Sequence, residues 1–339
     1  MRGCIRAFFC SAAFIGSIVG AGFASGREVA LYFGDYGILT PVTAAVFFGL
    51  FCYVFLRLGA IREDVVYTVF GNFSQVAEGF VRIANFAVLT AMIAGAEYVV
   101  YRIFGIGGGG LLLAALSLGA TLTRRTGIIT AITGSLIPVL VVIVVIFLTR
   151  LDTLKTDGDY SLTSPLTYAS MNLVTGGYLV SRLGKNLPRR TAVLSGVITT
   201  VILGLLLIAV YFIVRDYSLC DMPLVEFAFD NDLGLLTGVF AVISIFTSMT
   251  SSLKVVRGDS AILGAVAVAV ALLLSAFRFE NIVNYAYPLI GVAGIGMAFL
   301  STISLVRLSL SGQFFNESYP YIHRRRQNAQ HYGRSHHEV

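Results

Sequence analysis

Residues 16–37 read GSIVGAGFASGREVALYFGDYG, Gly16 to Gly37. The stretch begins inside an apolar run of membrane length and then fills with glycine, the weakest ordinary helix former. A helix in hydrocarbon must satisfy its own backbone hydrogen bonds. Glycines at mid-span therefore mark a kink, a close-packing surface of the small-xxx-small kind (Gly22 and Gly26), or a break that frees backbone groups for a ligand.

The rest of the chain decides the setting. Of 339 residues, 57% are hydrophobic and 12% charged, and the mean hydropathy is +0.84. These values describe a polytopic membrane protein. Apolar runs of about 18 to 25 residues recur from end to end, each able to cross a hydrocarbon core of roughly 30 Å as a helix. The first run is too long for a secretory leader and leads straight into further spans.

Spans are expected at 6–25 with a continuation to 34, then 39–59, 79–104, 106–123, 127–148, 164–183, 188–214, 233–253, 261–277 and 282–308. That is an all-α membrane domain, 1–339, of about ten helices. Pro41, Pro165 and Pro188 fall at or near expected helix starts, where a missing N–H costs nothing.

Basic residues cluster in every second loop and at both ends, among them Arg57, Arg62, Arg124, Arg125, Lys185, Arg189, Arg190, Lys254 and Arg257. This bias places both termini on the cytoplasmic side of a bacterial-type cytoplasmic membrane. The opposite loops are acidic, with Asp152, Asp157, Asp159, Asp221, Glu226 and Asp230, either as solvated loops or as a vestibule that attracts cations. Residues 310–339 form a basic cytoplasmic tail without an apolar face, suited to anionic lipid headgroups rather than nucleic acid.

The four cysteines, Cys4, Cys10, Cys52 and Cys220, have no metal-ligand spacing, and all four histidines lie after residue 320. No cofactor is expected, and no nucleophile and base can be placed together in the spans, so the chain does not read as an enzyme.

Ten spans divide into halves 6–149 and 164–309. With five helices each, the second half crosses the membrane in the opposite sense, the arithmetic of a 5+5 inverted repeat. The sixth span, SPLTYASMNLVTGGYLVSRLG, is itself interrupted at Thr175, Gly176 and Gly177. Two interrupted helices at corresponding places predict a midplane site between them, with half-helix N-termini for a carboxylate and free carbonyls for a cation.

With these residues in view, the stretch from Ile15 to Gly37, YASMNL at 168–173 and IFTSMTSS at 245–252 resemble the YkvI-like membrane protein family. It belongs to the amino acid–polyamine–organocation superfamily, with a LeuT-type fold. The resemblance covers nearly all the spans. It implies discontinuous helices 1 and 6 and secondary transport of a small amino acid or related amine by alternating access, coupled to sodium ions or protons; it assigns no substrate.

The resemblance also implies a sodium site formed by the carbonyls of Gly16 and Val19 with Ser244, Thr247 and Ser248. The hydroxyl residues stand at i, i+3 and i+4, on one helical face, and oxygen ligands suit a hard cation. Hydroxyls in such helices also bond back to their own carbonyls. Substrate contacts are expected from Gly20, Ala21, Gly22, Phe23, Ser25 and Gly26 in the first helix, from Tyr168, Asn172, Thr175 and Gly176 in the sixth, and from Tyr98 in the third.

The fifth span contains no lysine to stand in for a sodium ion. Glu97, the most conspicuous acid within a span, is the candidate proton site, with a pair to Arg102 or snorkelling as the structural reading. Glu28 opens the helix after the break and reads as a dipole-complementing residue first and a gate second. A second functional reading is a non-transporting membrane sensor or scaffold that keeps the fold, with the tail as its partner surface.

Overall fold

The computed structural model describes residues 2–19, 21–62, 64–123, 138–151, 154 and 156–311. The basic tail beyond residue 311 and the first part of the fifth expected span lie outside the described residues. Among the described residues the chain is helical, without a strand. The elements are α1 (Arg2–Ile18), α2 (Ala21–Ser25), α3 (Arg27–Phe33), α4 (Leu39–Ile61), α5 (Val65–Phe70), α6 (Ser74–Phe104) and α7 (Gly109–Leu122). After them come α8 (Pro138–Leu148), α9 (Thr163–Asn172), α10 (Tyr178–Ser181), α11 (Arg189–Val214), α12 (Pro223–Asp230), α13 (Gly234–Arg257), α14 (Ala261–Leu274) and α15 (Phe279–Leu310).

Each expected span coincides with one of these helices, or a run of them, wherever residues are described. Two short helices have no counterpart among the expected spans. In α5 the Asp64 side chain caps the first turn by accepting from the Tyr67 amide at 2.9 Å. In α12 Pro223 occupies the first position, where its fixed φ suits a helix start. Both are too short and too polar in setting to register as spans.

Five helical stretches, Leu39–Ile61, Val65–Phe104, Arg189–Tyr217, Gly234–Arg257 and Phe279–Leu310, are long and apolar enough to cross a membrane. Large apolar side chains stand exposed on their outward faces, including Val46 and Leu50 on α4, Leu205 on α11, and Leu289 and Phe299 on α15. Such a surface would cost heavily in water and matches a lipid environment. The chain is an integral membrane protein.

Small residues let the helices approach closely. A Cβ built on Gly49 of α4 would lie 2.7 Å from the Gly196 carbonyl of α11, and one on Gly196 would lie 2.8 Å from the Gly49 carbonyl. Gly291 and Gly294 of α15 meet the carbonyls of Thr167 and Ser170 of α9 at 2.6 and 2.7 Å in the same sense. In lipid, where burial alone drives little association, such close contact supplies the packing energy. The result fixes α9 between α4 and α15, with the short α3 packed against it.

Candidate functional site

The first helix is broken where its glycines fall. The Val19 amide donates to the Ile15 carbonyl at 2.7 Å as α1 ends, and the next residue, Gly20, lies outside the described residues, as does the side chain of Ala21. After α2 the chain turns at Gly26, whose φ of +77° is left-handed and favours glycine. A Cβ there would also lie 2.7 Å from Val214 Cγ1 and 2.9 Å from Leu224 Cγ. Ser25 bridges the turn: its Oγ donates to the Gly22 carbonyl at 2.8 Å and accepts from the Arg27 amide at 3.2 Å. Phe23 is fully buried.

The sixth span is interrupted differently. Between α9 and α10, Leu173–Gly177 form a π-helical turn, so the winding widens but continues instead of opening into an extended segment. Asn172 Nδ2 donates to the Tyr168 carbonyl at 3.1 Å, and Thr175 Oγ1 donates to the Asn172 carbonyl at 3.2 Å. These polar groups are spent on their own helix. Gly176 faces the first helix: a Cβ on it would lie 2.8 Å from Ser17 Oγ. The two interrupted helices therefore meet, with Ser17 and Gly176 at the contact.

Glu28, on the first turn of α3, points into the protein. It is buried and its Oε2 has no hydrogen-bond partner; it also has no ion-pair partner among the described residues. Its carboxyl lies against Gly22, where an added Cβ would sit 1.7 Å from Oε1 and 2.3 Å from Cδ. Tyr32 of α3, Tyr168 of α9 and Tyr287 of α15 lie within electrostatic reach of it; the Tyr32 hydroxyl donates to Met171 Sδ at 3.8 Å. Among the described residues the Tyr287 hydroxyl is buried without a partner, and the buried Tyr168 hydroxyl lies beside the Glu28 carboxyl and Asn172. The Tyr168 ring is held by Tyr32, Phe33 and Phe48, at centroid distances of 5.2, 5.2 and 5.5 Å, in tilted and edge-on geometries.

Arg27, the preceding residue, points the other way. Its guanidinium donates to the carbonyls of Ser218 and Cys220 at 2.8 and 3.1 Å, to Glu280 Oε1 at 2.9 Å and to Asn284 Oδ1 at 2.9 Å. This clamp ties α3 to α15 and to the connection between α11 and α12. The interior Pro288 of α15 has no N–H to offer the carbonyl four residues earlier, which belongs to Asn284.

Tyr98 and Glu97 make their hydrogen bonds outside the first helix. The Tyr98 hydroxyl donates to Glu226 Oε1 of α12 at 2.6 Å, and Arg102 pairs with the same carboxylate at 3.2 Å. Arg102 thus takes Glu226, not Glu97, as its partner. Glu97 instead accepts from the Gly108 amide at 2.8 Å and the Gly110 amide at 2.9 Å. It caps α7, satisfying amides that the helix leaves open. Of the acidic loop residues, Asp221 pairs with Arg278 at 3.1 Å and Asp230 accepts from the Tyr217 hydroxyl at 2.8 Å; Asp152 lies outside the described residues.

Of the expected sodium ligands, Gly16 and Val19 are buried at the end of α1, and α13 packs along α2. Thr247 Oγ1 donates to the Ser244 carbonyl at 2.9 Å. Ser244 Oγ is buried without a partner, and Ser248 is half-buried.

In the sequence Glu97 is more conspicuous than Glu28, and Tyr32, Tyr287, Glu280 and Asn284 do not stand out. Spacing carried the signal: Glu28 and Tyr32 stand at i, i+4, and Glu280, Asn284 and Tyr287 at i, i+4, i+7, each set on one helical face.

No protein-family model matches the chain, and no curated protein matches it in sequence. Solved structures do. An inward-facing conformation of Mhp1 is similar with a TM-score of 0.59 at 13% identity, covering 91% of this chain and 77% of that one. A manganese transporter from Eremococcus coleocola, in complex with an aromatic bis-isothiourea substituted compound, has a TM-score of 0.54 at 13% identity, covering 92% and 86%. A closed conformation of Mhp1, a nucleobase-cation-symport-1 family transporter with bromovinylhydantoin bound, has a TM-score of 0.50 at 12% identity, covering 88% and 74%. At such identities the likeness is one of fold, and that fold is the LeuT type.

Proposed function

We propose that the chain is a secondary active transporter, a cation-coupled symporter that carries a small amino acid or related amine by alternating access. The observation that carries this reading is the meeting of two interrupted helices, α1–α3 at Gly26 and α9–α10 at the π-turn, through Ser17 and Gly176. Irregular backbone at membrane depth is tolerated where it lines a site. The fold shared with Mhp1 and the manganese transporter supports transport; the amino acid or amine class rests on the YkvI-like resemblance.

In this reading the helices form a 5+5 inverted repeat in the cytoplasmic membrane with both termini inside. Gly20 to Gly26, Tyr98, Tyr168, Asn172, Thr175 and Gly176 border the path of the substrate, and Gly16, Val19, Ser244, Thr247 and Ser248 hold sodium. The unpartnered Ser244 Oγ supports the ion site. The Arg27 clamp closes the outer side and must open to admit substrate.

The test is uptake of radiolabelled amino acids and amines by purified protein in liposomes under an imposed sodium or proton gradient. Uptake should follow the gradient and vanish when an ionophore collapses it. Thr247→Ala with Ser248→Ala should remove any dependence on sodium; a double variant that keeps the sodium response would overturn the ion site while leaving transport standing.

A further inference from the structure

An ionised carboxylate in an apolar interior needs a positive partner or a proton. Among the described residues Glu28 has neither a salt bridge nor, at Oε2, a hydrogen bond. The space around it leaves little choice of partner. On one side the carboxyl is so close to Gly22 that a single added carbon would lie 1.7 Å from Oε1. On the others stand Tyr168 and Tyr287, 0% and 1% exposed. With no cationic side chain paired to it among the described residues, the buried carboxyl is left to take a proton.

The titratable groups that act on Glu28 from the packed helices are Tyr168, Tyr287 and Tyr32, the last with its hydroxyl donating to Met171 Sδ at 3.8 Å. The other titratable groups on packed elements are engaged elsewhere. Tyr211 of α11 donates to the Tyr36 carbonyl at 2.8 Å, Glu226 of α12 is held by Tyr98 and Arg102, and Glu280 of α15 is held by Arg27. No residue of α2 titrates.

Arg27 and Glu28 are consecutive, so their side chains leave α3 about 100° apart. One enters the clamp and the other the tyrosine cage. A rigid seven-residue helix hinged at Gly26 cannot move one without the other. We propose that Glu28 is a proton-binding carboxyl, and that its charge state is transmitted through α3 to the Arg27–Glu280–Asn284 clamp, which makes the proton a coupling ion beside the sodium site of the proposed function. The step is a protonation alone: the carboxyl releases its proton to water when α3 tilts, and takes one back as the cage closes. What that proton drives rests on the transporter reading; the site itself does not.

The test uses the full chain in lipid and needs no substrate. Infrared difference spectra between acid and alkaline pH are recorded for wild type and Glu28→Gln. Wild type should show a carboxylic-acid C=O band that titrates, and Glu28→Gln should lose it; an identical band in both overturns the proposal. Tyr168→Phe, which keeps the carboxyl and the ring, should keep the band and move its titration midpoint. An unmoved midpoint also overturns the proposal, and this holds if Glu28→Gln fails to fold.

The clamp is read by alkylating Cys220, whose carbonyl accepts from Arg27, with a membrane-impermeant maleimide in a Cys4→Ser background. The labelling rate of wild type divided by that of Glu28→Gln cancels the thiolate fraction, and should change with pH. A ratio constant across pH overturns the coupling to the clamp. Absence of gradient-driven uptake with the Glu28 band and the labelling response intact would instead sink the transporter reading.

Discussion

Gly22→Ala is the most searching perturbation of the break, because its consequence can be worked from distances. The new methyl would lie 1.7 Å from Glu28 Oε1, 2.3 Å from Cδ and 2.8 Å from Cγ, all inside any permitted contact. The carboxyl cannot swing away freely, since Glu28 is buried, as are Tyr168 and Tyr287 on the helices packed against α3. Either α3 shifts or the tyrosines repack, and overpacking of that kind costs about 1–3 kcal/mol. In the folded-to-unfolded ratio this is roughly 5- to 150-fold, measurable by denaturant titration in mixed micelles. Pairing with Glu28→Ala removes the atoms that collide. In that background Gly22→Ala should cost under about 0.5 kcal/mol, the limit within which independent sites add. An equal loss in both backgrounds would refute the placement of Glu28 against Gly22.

Other substitutions separate structural from functional roles. Gly26→Ala combines a left-handed φ of +77° with contacts of 2.7 Å to Val214 and 2.9 Å to Leu224, so it should destabilise by at least about 1–2 kcal/mol in the same titration. Glu97→Gln should lower the melting temperature through the lost α7 cap, at about 0.5–2 kcal/mol, and leave the pH dependence of uptake unchanged; an altered pH profile would restore Glu97 as a proton site. Tyr98→Phe removes a 2.6 Å bond to Glu226 and should cost about 1.5–3 kcal/mol by thermal unfolding. Arg27→Gln leaves Glu280 without its partner, and should raise the rate at which an impermeant maleimide labels Cys220; an unchanged rate would remove Arg27 from the gate. Burial, then Glu226, Asp230 and Asp221, hold the Cys220 thiol above its ordinary range, so its labelling should keep rising at a pH where a free thiol has reached its plateau.

The sequence located the broken helices because glycine in a membrane-length run is a local signal. The GAGFASG stretch and NLVTGG each announce an irregular turn without reference to any neighbour. It did not distinguish an opened segment from the π-turn at Leu173–Gly177, since that depends on Ser17 packing against Gly176 across the helix pair. Nor did it orient Glu28. Position on the first turn of a helix suggested a dipole-complementing role, whereas the side chain turns inward because Gly22 leaves room and Tyr168 and Tyr287 arrive from helices distant in sequence. Glu97 was conspicuous for the opposite reason: an acid in a span attracts notice, yet it is consumed by the amides of Gly108 and Gly110. The helices α5 and α12 escaped detection because short helices held by packing and caps carry no long apolar period.

A transporter of this kind moves its solute against that solute's own gradient, which the accumulation ratio in sealed proteoliposomes reads without further assumption. A labelled compound that stabilises the purified protein thermally should reach an internal concentration above the external one while a sodium or proton gradient lasts, and fall back when an ionophore dissipates it. A stabilising compound whose internal concentration never exceeds the external one under either gradient would rule out concentrative transport and point to a membrane sensor built on the same fold.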